Sequence, residues 1–362
     1  MLTWLLVPLR EQWFFFNVFR YITVRTALAG VTALVLSFLL GPILIKTLEK
    51  LQVGQEIRQE GPQSHITKKG TPSMGGILII ISTIVPTLLW GSLADIYVWI
   101  AMGTMLLFGA VGFLDDFLKV RRRRSLGLKS RQKLALQVLL SALLGLGLVA
   151  LGLKGQFDLR LSFPFLKEWL PYLGWFYVPW IAFILVSTSN AVNFADGLDG
   201  LAIGLTLISA TALTALTYVA GHALWSQYLS IARVPLAAEL TVFAGALSGA
   251  CLGFLWFNCH PAQMFMGDVG ALSLGATLGL IAILIKQEFL LFMVAGVFIL
   301  EAFSVVLQMV YFKLSGGKRI FRMAPLHHHF ELAGWPEEKI VIRFWILGII
   351  FALFSLSTLK LR

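Results

Sequence analysis

The sequence predicts an all-α polytopic membrane protein with about ten transmembrane helices. Of its 362 residues, 58% are hydrophobic and 13% are charged, and the mean hydropathy is +0.84. This composition excludes an ordinary soluble protein. Because lipid offers backbone groups no hydrogen-bond partners, the spans must be helices or a closed barrel. The apolar runs are long and continuous, which favours helices, whereas barrel strands would alternate in short segments.

Ten apolar segments follow an N-terminal stretch, residues 1–20. Charged residues interrupt that stretch, which argues against a signal peptide, and its aromatic residues are typical of a segment lying in the membrane interface. Each later segment is near the ~20 residues that a bilayer requires. The predicted spans are 24–45, 74–92, 96–118, 134–152, 173–189, 198–219, 238–257, 268–286, 289–312 and 341–359. No polar segment is long enough for a soluble domain, so we expect a single integral membrane domain over 1–362.

The distribution of Lys and Arg orients the predicted spans. An even number of spans places both termini on one side of the membrane. The loops 46–73, 119–133 and 313–340 lie on the other side and carry eighteen Lys and Arg, against ten on the side of the termini. By the positive-inside rule, these loops are cytoplasmic and both termini are periplasmic.

Titratable residues collect on the predicted cytoplasmic face. Five of the seven Asp and five of the six His fall at cytoplasmic span ends or in cytoplasmic loops. They are Asp115, Asp116, Asp196, Asp199 and Asp268, with His65, His260, His327, His328 and His329. A transporter would need acids near the bilayer midplane. We therefore expect an active site at the cytoplasmic membrane surface.

A polar island from Asn190 to Gly200 lies between two apolar segments. It holds two Asn, two Asp and two Gly. If the next helix starts here, Asp196 and Asp199 project from one face of its first turn. One of these residues could simply cap that helix. The number of polar groups favours a site that contacts a polar ligand.

Two further aspartate motifs carry candidate chemistry. Asp115 and Asp116 are adjacent at the end of the third span, where ionised carboxylates are costly. They either form salt bridges with the run Arg121–Arg124 or act as metal ligands or general bases. Asp268 opens the eighth span and is either an N-cap or a catalytic carboxylate.

Histidines and one intramembrane acid complete the candidates. His327, His328 and His329 are consecutive, and in an extended chain their side chains would point in alternate directions, which argues against a shared zinc ion. They could instead contact phosphate oxygens. Glu301 lies within a span, and its role is either functional or a hydrogen bond to Gln308 or a backbone group.

Five motifs together resemble the phospho-N-acetylmuramoyl-pentapeptide-transferase (MraY) family, within the polyprenyl-phosphate N-acetylhexosamine-1-phosphate transferases. The resemblance extends over nearly the whole chain. The motifs are Ser64-His65-x-x-Lys68-x-Gly70-Thr71-Pro72-x-Met74-Gly75-Gly76, Asp115-Asp116, Asn190-Ala191-Val192-Asn193-x-x-Asp196-Gly197-Leu198-Asp199-Gly200, Phe265-Met266-Gly267-Asp268-x-Gly270 and Pro325-Leu326-His327-His328-His329-Phe330-Glu331.

This resemblance implies an enzyme of peptidoglycan synthesis in the bacterial inner membrane. It would transfer phospho-N-acetylmuramoyl-pentapeptide from its UDP carrier to undecaprenyl phosphate, giving lipid I and UMP, with Mg²⁺ as cofactor. Family members are homodimers, and no nucleic acid is expected as a partner. The alternatives are a sibling transferase acting on UDP-GlcNAc and, from another class of protein, an ion-coupled transporter.

The resemblance also implies roles for individual residues. Asp268 would be the Mg²⁺ ligand, while Asp115, assisted by Asp116, would position or deprotonate the lipid phosphate. In a competing mechanism, an aspartate such as Asp268 is a covalent nucleophile. The residues implied in the uridine-diphosphate pocket are Lys68, Asn193, Asp196, Asp199 and Phe265, with Asn258 nearby. The residues implied to contact phosphate or sugar are His327, as a catalytic group, and His328 and His329.

Overall fold

The protein folds into a bundle of α-helices. The computed structural model describes residues 2–51, 70–122, 127–164, 166 and 168–360. Its helices are α1 (Leu2–Leu6), α2 (Ile22–Lys50), α3 (Gly76–Trp90), α4 (Ile96–Arg122), α5 (Ser130–Leu153), α6 (Tyr177–Ala195), α7 (Leu201–Gly221), α8 (Ala223–Tyr228), α9 (Ala237–Asn258), α10 (Gly267–Leu284), α11 (Glu288–Val294), α12 (Gly296–Leu314), α13 (Leu326–Leu332) and α14 (Glu337–Ser357). The prediction of an all-α membrane protein is confirmed.

Nine helices in the described residues are long and apolar enough to cross a membrane. They are α2, α4, α5, α6 with the 3-10 turn before it, α7, α9, α10, α12 and α14. The predicted span 74–92 corresponds to α3, which is apolar but has only 15 residues. Residues 1–20 contain α1 and short 3-10 segments, and their placement at the membrane surface stays a prediction.

Of the predicted spans whose bounds differ from the observed helices, two differ most. The predicted span 289–312 is two helices, because α11 ends at Val294 and α12 begins at Gly296. The fifth predicted span, 173–189, is too short, because α6 continues to Ala195 and includes the first half of the polar island. Asn190 accounts for part of this extension, since its side chain donates to the Val186 carbonyl and to the amide oxygen of Gln137 on α5.

Helix α10 lies at the centre of the bundle. Every residue from Val269 to Leu284 is buried, and no charged residue follows Asp268 in this helix. Small residues allow neighbouring backbones to come close. A side chain at Gly275 would clash with the Thr188 carbonyl of α6, and one at Gly279 with the Thr188 hydroxyl. Gly275 and Gly279 therefore serve the close packing of α10 against α6.

An ion pair joins helices at the end of the bundle where α4 begins. Arg25 of α2 donates to both carboxylate oxygens of Glu239 on α9, at 2.6 and 2.7 Å. Glu239 also accepts the backbone N–H of Ser92, which precedes α4. Removing one member of such a largely buried pair would leave its partner uncompensated. This pair therefore holds α2, α9 and the start of α4 together.

Asp95, just before α4, gives a testable dependence of stability on pH. Its carboxylate accepts the Tyr97 backbone N–H. Burial, with a smaller contribution from Glu239, raises the pKa of Asp95 to about 6. An acid with a raised pKa in the folded state destabilises that state when ionised, and the penalty is relieved as pH falls through 6.

We expect Asp95→Asn to raise the thermal midpoint in detergent at pH 8, because Asn keeps the acceptor for Tyr97 without the charge. The gain should shrink towards pH 4, where the Asp95 carboxyl is largely protonated in the folded state. The rise in the pKa of Asp95 from its ordinary value to about 6 corresponds to at most ~3 kcal/mol in the free energy of unfolding. An equal gain at both pH values would contradict the assignment of the effect to ionisation.

Candidate active site

Three carboxylates meet at the other end of the bundle. Asp115 and Asp116 lie near the C-terminal end of α4, and Asp268 lies in the first turn of α10. One oxygen from each lies within 4.8 Å of the others. Close packing of the two helices brings them together. A Cβ on Gly112 of α4 would lie 2.2 Å from the Asp268 carbonyl oxygen, so only glycine permits this approach.

Lysine ammonium groups neutralise this cluster. Lys119 Nζ lies 2.7 Å from Asp115, 3.0 Å from Asp116 and 2.8 Å from Asp268. Lys133, from the first turn of α5, lies 2.8 Å from Asp268. The salt-bridge partners considered for Asp115 and Asp116 were in the run Arg121–Arg124, and that expectation missed Lys119 one turn beyond the pair. The helical spacing from Asp115 to Lys119 was the available signal.

Backbone donors fix two of the carboxylates. Leu128 N–H donates to Asp115 Oδ1 at 2.7 Å, and Val269 N–H donates to Asp116 Oδ2 at 3.2 Å. Both side chains also contact Lys119. The geometry of the cluster is therefore defined by α4, α10 and the segment before α5.

The donor set of this cluster fits a hard divalent cation. Asp115, Asp116 and Asp268 offer carboxylate oxygens, which Mg²⁺ and Ca²⁺ prefer. Lys119 shows that the three carboxylates already converge on one positive charge. The cluster can thus hold a cation that retains waters and accepts phosphate oxygens.

The polar island is half helix and half turn. Asn193 is half-buried in the last turn of α6, whereas Asp196 and Asp199 lie in the connection before α7. The expectation that the two Asp share the first turn of the next helix is wrong, because Gly200 adopts a left-handed conformation and α7 begins only at Leu201.

Asp196 is electrostatically connected to the carboxylate cluster. Burial, followed by the negative charges of Asp268 and Asp116, raises the pKa of Asp196 to about 8. Without a bound cation, its carboxyl group is therefore largely protonated at neutral pH. A cation at the cluster would favour the ionised form.

Asp199 belongs to a second group of polar residues. Its Oδ2 lies 3.1 Å from His260 Nδ1 and accepts the Ala262 N–H, and its own N–H donates to Glu337 of α14. Asp199, His260 and Glu337 also have ligand atoms within 4.8 Å of one another. His260 was among the histidines expected on the cytoplasmic face, but neither His260 nor Glu337 was given a role there.

Asn258 and Phe265 lie on the segments that frame this turn. Asn258 is buried, and its amide accepts the Gly200 N–H and donates to the Met264 carbonyl. The amide oxygen and the amide nitrogen of Asn258 thus connect the turn at Gly200 with the loop at Met264. Phe265 is half-buried and its backbone pairs with Pro72 and Gly75. Lys68, the remaining predicted pocket residue, lies outside the described residues.

The three histidines are on a short helix, α13, and not in an extended segment as expected. Their environments differ. His327 is fully buried, whereas His328 is half-buried with Nδ1 2.6 Å from Glu331. His329 is also half-buried and accepts the Arg322 backbone N–H. His327 is close to the polar island, since a Cβ on Gly197 would lie 2.3 Å from its Nε2.

Glu301 of α12 contacts His327 in the protein interior. One carboxylate oxygen accepts the His327 backbone N–H at 3.2 Å, and the other lies 3.1 Å from His327 Nδ1. The expected alternative partner, Gln308, instead bonds to the backbone of Ile320 and Phe321. Of the two hydrogen-bond partners considered, the backbone group is therefore correct and Gln308 is wrong.

Two family models match parts of this chain. Residues 98–286 match the model described as Glycosyl transferase family 4, a range that includes Asp115, Asp116 and Asp268. Residues 68–80 match the model described as Phospho-N-acetylmuramoyl-pentapeptide-transferase signature 1. The first match covers just over half of the chain.

Curated relatives align over the full length of the chain. A phospho-N-acetylmuramoyl-pentapeptide-transferase of Koribacter versatilis (strain Ellin345) is 52% identical, with 100% of both chains covered. Proteins of the same name from Solibacter usitatus (strain Ellin6076) and Desulfatibacillum aliphaticivorans are each 53% identical, covering 96% and 100% of both chains. With its membrane-spanning helices, the chain is a multi-pass protein of the bacterial inner membrane. It belongs to the phospho-N-acetylmuramoyl-pentapeptide-transferase family.

Proposed function

We propose that this protein transfers phospho-N-acetylmuramoyl-pentapeptide from UDP-N-acetylmuramoyl-pentapeptide to undecaprenyl phosphate, giving lipid I and UMP in peptidoglycan synthesis. The observation that carries the proposal is the three-carboxylate cluster of Asp115, Asp116 and Asp268 beside the polar island. Its membership of the family supplies the substrates. A sugar diphosphate and a lipid phosphate both carry the negative charge that a cation at this cluster would neutralise.

We place this site on the cytoplasmic face, with both termini periplasmic. The excess of Lys and Arg in the three loops at this end supports the orientation. A soluble nucleotide-sugar and a membrane-bound phosphate can meet only at such an interface. The catalytic unit is then one membrane domain over 1–362, and in the membrane it forms a homodimer.

The carboxylates divide the chemistry between them. Asp115 orients or deprotonates the lipid phosphate for in-line attack, and Asp116 assists by holding Lys119 and the Val269 N–H in place. Asp268 and these neighbours would hold the cation. A bound Mg²⁺ would supply positive charge to the diphosphate oxygens and so favour the departure of UMP. Lys119 and Lys133 keep the carboxylates together in its absence.

The uridine-diphosphate end of the substrate binds along the polar island. Asn193, Asp196 and Phe265 are half-buried there, so their side chains remain accessible to a ligand. Asp199 and Asn258 support the turn from behind through their hydrogen bonds. We assign Lys68 to the diphosphate by the family motif. His327 acts beside Gly197, and His328 and His329 contact phosphate or sugar.

The reaction is tested by UMP release from purified protein in detergent. The assay supplies UDP-N-acetylmuramoyl-pentapeptide, undecaprenyl phosphate and Mg²⁺. We expect UMP to appear only when all three are present, and EDTA to abolish its release. Restoring Mg²⁺ in excess over EDTA should recover the activity, which separates removal of the metal from damage to the protein.

Replacing the substrate with UDP-GlcNAc tests the specificity. We expect no UMP release with this donor. UMP release with UDP-GlcNAc and none with the muramoyl-pentapeptide donor would contradict the proposed donor specificity. It would still support a transferase reaction of the same class. Folded protein, as judged by a single peak in size-exclusion chromatography, that released UMP from neither donor would refute the transferase proposal.

A further inference from the structure

The pair Glu301–His327 places two ionisable side chains deep in the helical bundle. Both residues have no exposed surface. Glu301 lies on α12 and His327 on α13, so their contact joins two helices that the segment 315–325 separates in the sequence. Two carboxylate oxygens reach two different groups of the same residue, the backbone N–H and ring Nδ1.

This contact determines which ring nitrogen carries the proton. When Glu301 is ionised, its carboxylate can only accept, so it places the proton of the 3.1 Å contact on His327 Nδ1. In the neutral ring, Nε2 is then a bare acceptor. The second oxygen accepts the backbone N–H of the same residue, so both carboxylate oxygens contact His327.

Nε2 has no hydrogen-bond partner, although it is buried. It faces Gly197, where a Cβ would lie only 2.3 Å away. Gly197 follows Asp196, which is influenced by the charges of Asp116 and Asp268. An unpartnered buried acceptor beside a substrate site indicates a partner that arrives with the ligand.

We propose that Glu301 is a positioning residue, which keeps the His327 proton on Nδ1 and so leaves Nε2 as an acceptor for a hydroxyl or amide donor of the nucleotide-sugar, which reaches it when the turn at Gly197 moves aside on binding. The proposal rests on the assigned role of His327 in the transferase reaction. Glu301 acts through His327 and does not itself touch the substrate.

The test compares the activities of two Glu301 variants. A packing role and a positioning role of Glu301 predict opposite orders of activity for them. Glu301→Gln keeps the volume, but its amide N–H₂ would donate to Nδ1 and move the ring proton to Nε2. Glu301→Asp loses volume but remains an acceptor. We expect kcat/KM for UMP release to fall at least about tenfold in Glu301→Gln and clearly less in Glu301→Asp. The reverse order would overturn the proposal.

A double-mutant cycle with His327→Gln separates this inference from the proposed function. We expect Glu301→Gln to cause no further loss in the His327→Gln background, since residues acting as a unit are not additive. Additive losses would refute the positioning role. If His327→Gln is active, the role assigned to His327 is refuted. If His327→Gln loses activity but Glu301→Gln does not, the positioning role of Glu301 is refuted and the role of His327 stands.

Ser304→Ala is the matched control on the same helix. Ser304 is buried, and its hydroxyl donates to the Glu301 carbonyl, so the control removes a polar contact from the same turn without touching His327. We expect its activity to stay within twofold of the wild type. If Glu301→Gln does not fold, the cycle is run with Glu301→Asp, for which additivity with His327→Gln again refutes the proposal.

Discussion

Asp268→Asn and Asp115→Asn should each lower the rate of UMP release by more than about a hundredfold, a barrier increase of more than ~2.7 kcal/mol. Each substitution keeps the side-chain shape but removes one of three converging charges. In Asp268→Asn, Lys119 and Lys133 lose their shared partner. In Asp115→Asn, the acceptor of the Leu128 N–H remains, so the loss reports on charge.

The matched control for these variants is Asp158→Asn. Asp158 is exposed and caps the Arg160 N–H, a contact that an Asn carbonyl oxygen can also make. We expect this variant to keep wild-type activity. All variants should be extracted in detergent and elute as folded protein. Retained activity in Asp268→Asn or Asp115→Asn would remove that residue from the catalytic group.

Much of this arrangement could be predicted from the sequence, because membrane insertion imposes strong rules. Apolar length defines the helices, and charge asymmetry indicates which loops share a face. These rules alone bring Asp115, Asp116 and Asp268 to one end of the bundle, where the structure has them. The same rules cannot give distances, which depend on how closely two helices pack.

The residues that sequence analysis missed look ordinary in the sequence. Lys119 and Lys133 belong to a basic loop that is also what topology requires, so their ion pairs with the aspartates do not stand out. The Glu301–His327 contact depends on the helical form of α13, which the run of three His does not reveal. Long-range contacts of this kind follow from tertiary packing and not from local pattern.

Gly112→Ala should reduce activity by about a hundredfold and lower stability. The new Cβ would lie 2.2 Å from the Asp268 carbonyl oxygen and 2.5 Å from the Val269 nitrogen. These are backbone atoms, so a change of rotamer cannot relieve the clash, and α4 must move away from α10. Overpacking of this kind costs ~1–3 kcal/mol. A displacement of ~1 Å between catalytic groups can cost about a hundredfold in rate.

Gly103→Ala provides the same substitution on the same helix without the clash. A Cβ at Gly103 meets no atom within 4 Å. Ala is favoured over Gly in a helix interior by ~1 kcal/mol, so this variant should be fully active and melt at the same temperature or higher. The comparison therefore separates a general effect of Gly→Ala on α4 from the loss of close approach at Asp268. Equal activity of Gly112→Ala and Gly103→Ala would show that the carboxylate cluster tolerates a wider spacing of α4 and α10. In that case, flexible side chains and not the rigid packing of the two helices would bring the carboxylates to a bound metal.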